Sequence, residues 1–205
     1  MRQKKSVTCA ILAGGASRRF GENKLALEFC GKSFLQHIVA TLTAVSENII
    51  VAGENCENLN VAPYLCFCDR FALHASIVGI HTALCHAPTE AVLVVAGDLP
   101  LLKVELLQLL ISRFFSTKSD AVVPVVNNYM EPLVAVYARK NRAVIEENIY
   151  QRKLKIADFI GRINTSVLSE KEVRAVDPEL QSFLNINTPH DYRKLLDKFS
   201  TADKA

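Results

Sequence analysis

Val7-Thr8-Cys9-Ala10-Ile11-Leu12 is apolar at every position except Thr8, and it runs straight into Ala13-Gly14-Gly15. A continuous apolar run that stops at glycines is the pattern of a strand covered on both faces, as in a parallel sheet. The same pattern returns at Ala91-Val92-Leu93-Val94-Val95-Ala96 before Gly97-Asp98-Leu99-Pro100. Ile49-Ile50-Val51-Ala52 before Gly53 and Tyr64-Leu65-Cys66-Phe67-Cys68 before Asp69 repeat it in shorter form. Between these runs the apolar period changes to that of helices. Leu35, Ile38, Val39, Leu42 and Val45 follow the capping-box sequence Ser33-Phe34-Leu35-Gln36 and predict a helix over Phe34 to Val45. Ile77, Ile80, Ala83 and Leu84 form a second stripe, and Val104 to Phe115 a third helix.

Alternation of β and α over the first hundred residues implies a mainly parallel sheet with right-handed crossovers and helices on both faces. Further strands are expected at Ala121 to Val125 and Leu133 to Tyr137, with helices at Lys140 to Tyr150 and Ile156 to Ile160. Phe183-Leu184-Asn185-Ile186-Asn187 reads as a last short strand. Thr188-Pro189 then opens a closing helix to about Lys198, with Thr as N-cap and Pro at the first helical position. In such a sheet ligands gather beyond the carboxyl ends of the strands.

The 205 residues, half of them apolar and 22% charged, exclude a disordered or fibrous chain and suffice for one core. No repeat or low-complexity segment interrupts it, so one domain is expected over residues 1–199, with a polar tail over 200–205. Lys and Arg exceed Asp and Glu by only 24 to 21, interspersed, which argues against a nucleic-acid surface. The apolar stretch after Met1-Arg2-Gln3-Lys4-Lys5 is too short for a signal or membrane span. Six cysteines (Cys9, Cys30, Cys56, Cys66, Cys68, Cys85) sit singly in a chain with ample core, which favours reduced thiols. Cys66-x-Cys68 with His74, or His81 with Cys85, lacks the paired spacing of a zinc framework.

The segment from Leu12 to Lys24 leaves the first strand with three glycines (Gly14, Gly15, Gly21), two arginines (Arg18, Arg19) and Lys24. Glycines let backbone N–H groups approach a phosphate, and cations balance its charge; a plain solvated connection has the same composition. The dinucleotide fingerprint fails because Ala16 stands where its second glycine belongs, and Gly31-Lys32-Ser33 lacks a P-loop's leading glycine because Ala26 stands there. Gly31-Lys32-Ser33 is better read as a turn into a capped helix. Asp98 and Asp69 both follow strands and should reach the rim that carries the glycine loop. A lone carboxylate beside phosphates suits Mg²⁺, whereas by position alone Asp98 could cap the next helix and Asp69 an Asx turn. Glu131-Pro132 and the pair Asn185 and Asn187 flank strands; two amides on one face could address a polar ligand, or merely cap an edge.

Leu12-Ala13-Gly14-Gly15-x-Ser17-x-Arg19-Phe20-Gly21-x-Asn23-Lys24 resembles the L-A-G-G-x-S-x-R-M-G-x-D-K pattern of the MobA-like nucleotidyltransferases. The similarity continues through Gly31-Lys32, Asp69, Gly79, Gly97-Asp98-Leu99-Pro100, Glu131-Pro132-Leu133 and Asn185-Ile186-Asn187-Thr188-Pro189, over nearly the whole chain. The resemblance implies a Rossmann-like α/β fold of the nucleotide-diphospho-sugar transferase kind. It further implies a cytoplasmic enzyme that joins GMP from GTP to the phosphate of Mo-molybdopterin, releases pyrophosphate and uses Mg²⁺. By position, Leu12, Ala13, Gly14 and Gly15 would line the nucleotide, with Lys24 and Arg19 on phosphate and Asp69 at the GTP site. Asp98 would hold the magnesium, while Asn185 and Asn187 would lie nearer the pterin half. The partners implied are GTP, molybdopterin and, downstream, molybdoenzymes or their chaperones. Phe20 replaces Met, Asn23 replaces Asp, and Ala52 stands where family members carry a strand-end Asn. The last change removes a side-chain amide from the nucleotide end and keeps a CTP-using transferase as the nearest alternative. A non-catalytic carrier of nucleotide or cofactor is the alternative of another class.

Overall fold

The computed structural model describes residues 6–13, 24–54 and 61–200. In chain order the elements begin with β1 (Val7–Leu12), the hairpin β2 (Glu28–Phe29) and β3 (Lys32–Ser33), α1 (Phe34–Thr43), β4 (Asn48–Gly53) and β5 (Leu65–Cys68). Then come α2 (Ser76–His86), β6 (Ala91–Ala96), α3 (Val104–Ser116), β7 (Ala121–Val126), β8 (Tyr129–Met130) and β9 (Val134–Ala138). α4 (Arg142–Tyr150), α5 (Ile156–Ile160), β10 (Thr165–Leu168), α6 (Glu170–Arg174) and α7 (Pro189–Ser200) complete the fold.

The main sheet has the order β10-β7-β9-β6-β1-β4-β5, with β8 paired to β7. β1 lies between β4 and β6, parallel to both, and pairs Leu12 with Ala52 on one side and Ala96 on the other. The carboxyl ends of these strands are therefore level. β9 runs antiparallel to β6 and β7, so its entry, not its exit, reaches that rim. Both faces of the sheet are covered, which explains the unbroken apolar runs. Cys9, Ile11, Leu93 and Val95 pack with α1 and α3, while Ala10, Leu12, Val92 and Val94 pack with α2, α4 and α5.

α1 starts at the expected capping box: Gln36 N–H donates to Ser33 Oγ at 3.2 Å, and Ser33 N–H to Gln36 Oε1 at 2.8 Å. Cys30 and Gly31, both at positive φ, make the two-residue turn of the β2–β3 hairpin. A third apolar cluster joins Phe29 and Phe34 to Ile186 and Leu195, fastening the hairpin to α7. The Tyr192 hydroxyl adds a bond to the Glu28 carbonyl.

Two expectations need correction. Phe183 to Asn187 is not a strand: Gln181–Phe183 form a 3-10 turn, and residues 184–187 continue without regular structure. The segment has no strand neighbour to pair with; its main-chain tie is the Ile186 N–H to Asp98 O bond of 3.0 Å. Nor are all the thiols reduced, since Cys68 is disulfide-bonded, whereas Cys9, Cys30, Cys66 and Cys85 are free. Spacing in sequence carries no information on which cysteines a fold brings together. Among the described residues no helix is long and apolar enough to cross a membrane.

Candidate active site

The rim is built around the exit of β1. Leu12 O accepts the Gly97 N–H at 3.0 Å, and Ala13 N–H donates to Ala52 O at 2.8 Å, so the strand is held on both sides where it ends. Ala52 is fully buried and offers the rim no polar side chain. Gly14, Gly15 and Arg19, expected to cradle phosphate, lie outside the described residues.

Gly97-Asp98 follows β6 directly, which sets Asp98 beside the end of β1. Its Oδ2 stands 3.6 Å from Lys24 Nζ, and the two side chains are only 21% and 15% exposed. Lys24 Nζ also donates to Asn187 Oδ1 at 2.7 Å. Residues 24, 98 and 187, distant in sequence, thus form one polar group, and the Ile186–Asp98 main-chain bond locks it. Asn185 and Asn187 are exposed on either side of buried Ile186, but without a strand the period that would put their amides on one face is lost. Asn187 is drawn to the lysine and so belongs with Lys24 and Asp98.

Burial pushes the Asp98 carboxyl above the usual carboxylate range, and the Lys24 ammonium opposes that shift only in part. Asp98 Oδ1 is buried with no hydrogen-bond partner among the described residues. A buried carboxylate oxygen left without a partner is costly unless something else meets it. An oxygen-loving cation held by one carboxylate and by phosphate oxygens fits this donor set. Among the described residues no cluster of three or more acidic, His or Cys side chains competes for that role. The helix-capping alternative for Asp98 is removed, because α3 begins at Val104 with no side-chain cap.

Asp69 lies on the same rim, three strand spacings from Asp98, about 14 Å at the usual inter-strand distance. Its N–H donates to Gly53 O at 3.1 Å, and its Oδ1 accepts the Thr82 hydroxyl at 2.7 Å. The carboxylate therefore bonds across to α2 rather than closing a local turn. Burial pushes the Asp69 carboxyl up as well. On the opposite flank, Ala96 N–H donates to Leu133 O at 2.9 Å, and the Tyr137 hydroxyl holds Pro132 O at 2.8 Å. Glu131 is thereby brought to the rim, half-buried, with its carboxyl also pushed up by burial.

Thr82 and the steric role of Gly97 carry no motif in the sequence. The arrangement offers a cation, a carboxylate with a buried oxygen that has no partner among the described residues and an amide at one end of the strand-end rim, with a second anchored carboxylate at the other.

The family model described as MobA-like NTP transferase domain matches residues 9–164. The chain belongs to this family. It is a nucleotidyltransferase, with the architecture of the nucleotide-diphospho-sugar transferases. It is 37% identical over 92% of its length to a molybdenum cofactor guanylyltransferase of Desulfosudis oleivorans, covering 94% of that protein. It is 33% identical over 96% of its length to a probable molybdenum cofactor guanylyltransferase of Carboxydothermus hydrogenoformans, covering 98% of it. The crystal structure of molybdopterin-guanine dinucleotide biosynthesis protein A from Archaeoglobus fulgidus superposes with a TM-score of 0.83 at 30% identity, over 95% of this chain and 99% of that one.

Proposed function

We propose that this protein acts in the cytoplasm in molybdenum cofactor biosynthesis. It transfers GMP from GTP to the phosphate of Mo-molybdopterin, forming molybdopterin guanine dinucleotide and pyrophosphate. The observation that carries the reading is Lys24 Nζ set between Asp98 Oδ2 and Asn187 Oδ1, beside the unpartnered Asp98 Oδ1 at the exit of β1. The names of relatives aligned along nearly the whole chain supply the nucleotide and the acceptor.

An oxygen of the acceptor phosphate attacks the α-phosphorus in line, and pyrophosphate departs with the electron pair of the bridging bond. No protein nucleophile is needed, so the enzyme's work is placement and charge stabilisation. Lys24 neutralises charge on the triphosphate while Asn187 keeps its ammonium from swinging away. Asp98 would hold Mg²⁺, which would supply positive charge to phosphate oxygens. Arg19, Gly14 and Gly15 add phosphate contacts by the sequence pattern. Asn185 faces the acceptor side, and Asp69, with the main chain of Leu12 and Ala13, lines the nucleoside. One observation favours cytidylyl transfer as a second reading: at Ala52 the nucleotide end has only a backbone oxygen, already bonded to Ala13.

Mass spectrometry of the product made from purified protein, Mg²⁺, equimolar GTP and CTP and Mo-molybdopterin tests the assignment. The guanine dinucleotide is expected. A cytosine dinucleotide would replace this reading with the second, and tight GTP binding with no pyrophosphate release would make the protein a carrier. Lys24→Ala and Asp98→Ala should each lower turnover by about 10²–10³-fold, the scale of removing one donor aimed at transition-state charge.

A further inference from the structure

Thr82 lies inside α2 among Ile77, Ile80, Ala83 and Leu84, all fully buried, and is itself only 2% exposed. A threonine so placed ordinarily returns its hydroxyl to the carbonyl one turn back. Thr82 Oγ1 does lie 3.1 Å from Val78 O, but it lies closer, 2.7 Å, to Asp69 Oδ1. One hydroxyl proton serves one acceptor at a time, and an ionised carboxylate is the stronger. Val78 O is already within reach of its helical N–H partner, so giving the proton to Asp69 leaves little unsatisfied.

Asp69 is then tethered twice, by its N–H to Gly53 O at 3.1 Å and by Oδ1 to Thr82. Oδ2 has no hydrogen-bond partner among the described residues. Burial and the neighbouring Glu54 both favour the neutral acid, and the Thr82 hydroxyl is the group that opposes them. We propose that Thr82 is a positioning residue for nucleotide choice: it holds Asp69 as a fixed acceptor at the base end of the rim, selecting a base whose edge carries N–H donors. The inference rests on the reading of this rim as the nucleotide site. Guanine presents adjacent donors at N1 and its exocyclic amine. Cytosine presents one amine beside two acceptors, which an ionised carboxylate repels.

The test compares the parent with Thr82→Val, which keeps the shape without the hydroxyl, with Thr82→Ser, which restores it, and with Asp69→Asn. Pyrophosphate release is measured against GTP and against CTP at saturating Mo-molybdopterin and Mg²⁺, and thermal midpoints are recorded beside the rates. Thr82→Val should raise KM for GTP about tenfold, the scale of one hydrogen bond to a charged group, with kcat within about twofold. The preference for GTP over CTP should fall by a similar factor, and Thr82→Ser should recover most of it. Unchanged kinetics in Thr82→Val, or a serine variant as impaired as the valine one, would overturn the inference. If the valine variant does not fold, Thr82→Ala takes its place with the same expected and overturning results. A parent that prefers CTP overturns the guanylyl reading on which the inference rests, and an Asp69→Asn variant with unaltered KM for GTP overturns the placement of Asp69 at the nucleotide.

Discussion

At Gly97 a Cβ would stand 2.8 Å from Leu25 Cδ2 and 3.0 Å from Leu12 O. The leucine tip can shift, but the carbonyl is fixed by the ladder that ends β1. Gly97→Ala should therefore push the Lys24–Leu25 turn outward, costing about 1–3 kcal/mol in a urea titration, as overpacking does. Turnover should fall further than stability alone accounts for, because Lys24 moves with Leu25. The side chains around this glycine differ in how visible they are before folding. Lys24 and Asp98 are legible because each stands in a distinctive local pattern, a glycine-rich exit and a Gly-Asp-Leu-Pro turn. Thr82 is not, since nothing local distinguishes a threonine that bonds back to its own helix from one that reaches Asp69 thirteen residues earlier. Asn187 is half legible: its polarity marks it, but its pairing with Lys24 across 163 residues is made by the fold.

Among elements, α7 has a consequence for the site out of proportion to its place at the rim's far end. Its first turn is closed by Asp191, whose Oδ2 accepts the N–H of Asn187 at 3.1 Å and of Thr188 at 2.8 Å, while Asp191 N–H donates to Thr188 Oγ1 at 3.2 Å. The hydroxyl of Thr188 and these N–H groups hold the Asp191 carboxyl below the usual range. A depressed carboxyl stabilises the fold above its unfolded value and loses that contribution as pH falls through the folded one. Asp191→Ala should thus loosen Asn187 and raise KM for GTP several-fold at neutral pH, and the gap to the parent in thermal midpoint should narrow in acid. Steady-state kinetics and melting curves read both. Long elements with regular apolar spacing, such as β1, β6, α1 and α3, match the expected boundaries within a few residues. The short ones, β2, β3, β8, β10 and α6, have two to five residues each, too few for a period to register. The turn at Asn127 and Asn128, both at positive φ, is the mark that could have disclosed β8.

On the scale of the whole molecule, the sheet is shared by the apolar clusters on its two faces, so neither face can separate without exposing the other's strands. Unfolding in urea should appear as one transition, with coincident midpoints by far-UV circular dichroism and tyrosine fluorescence; resolved transitions would mean that the segment after β9 is an independent unit. The reversed strand β9 also explains why the irregular second half was harder to read than the first. Once alternation stops, position along the chain no longer tells which rim a loop occupies, and only the antiparallel register with β6 returns Glu131 to the working edge. The bond from Ile186 N–H to Asp98 O splices the late segment onto the middle of the chain. Chimeras that exchange only the C-terminal third between relatives of different nucleotide or acceptor preference would import a foreign strap onto the aspartate and a foreign latch onto the lysine. On the proposed reading, donor and acceptor preferences should be inherited as a single unit, and a productive swap should carry both ends of the splice.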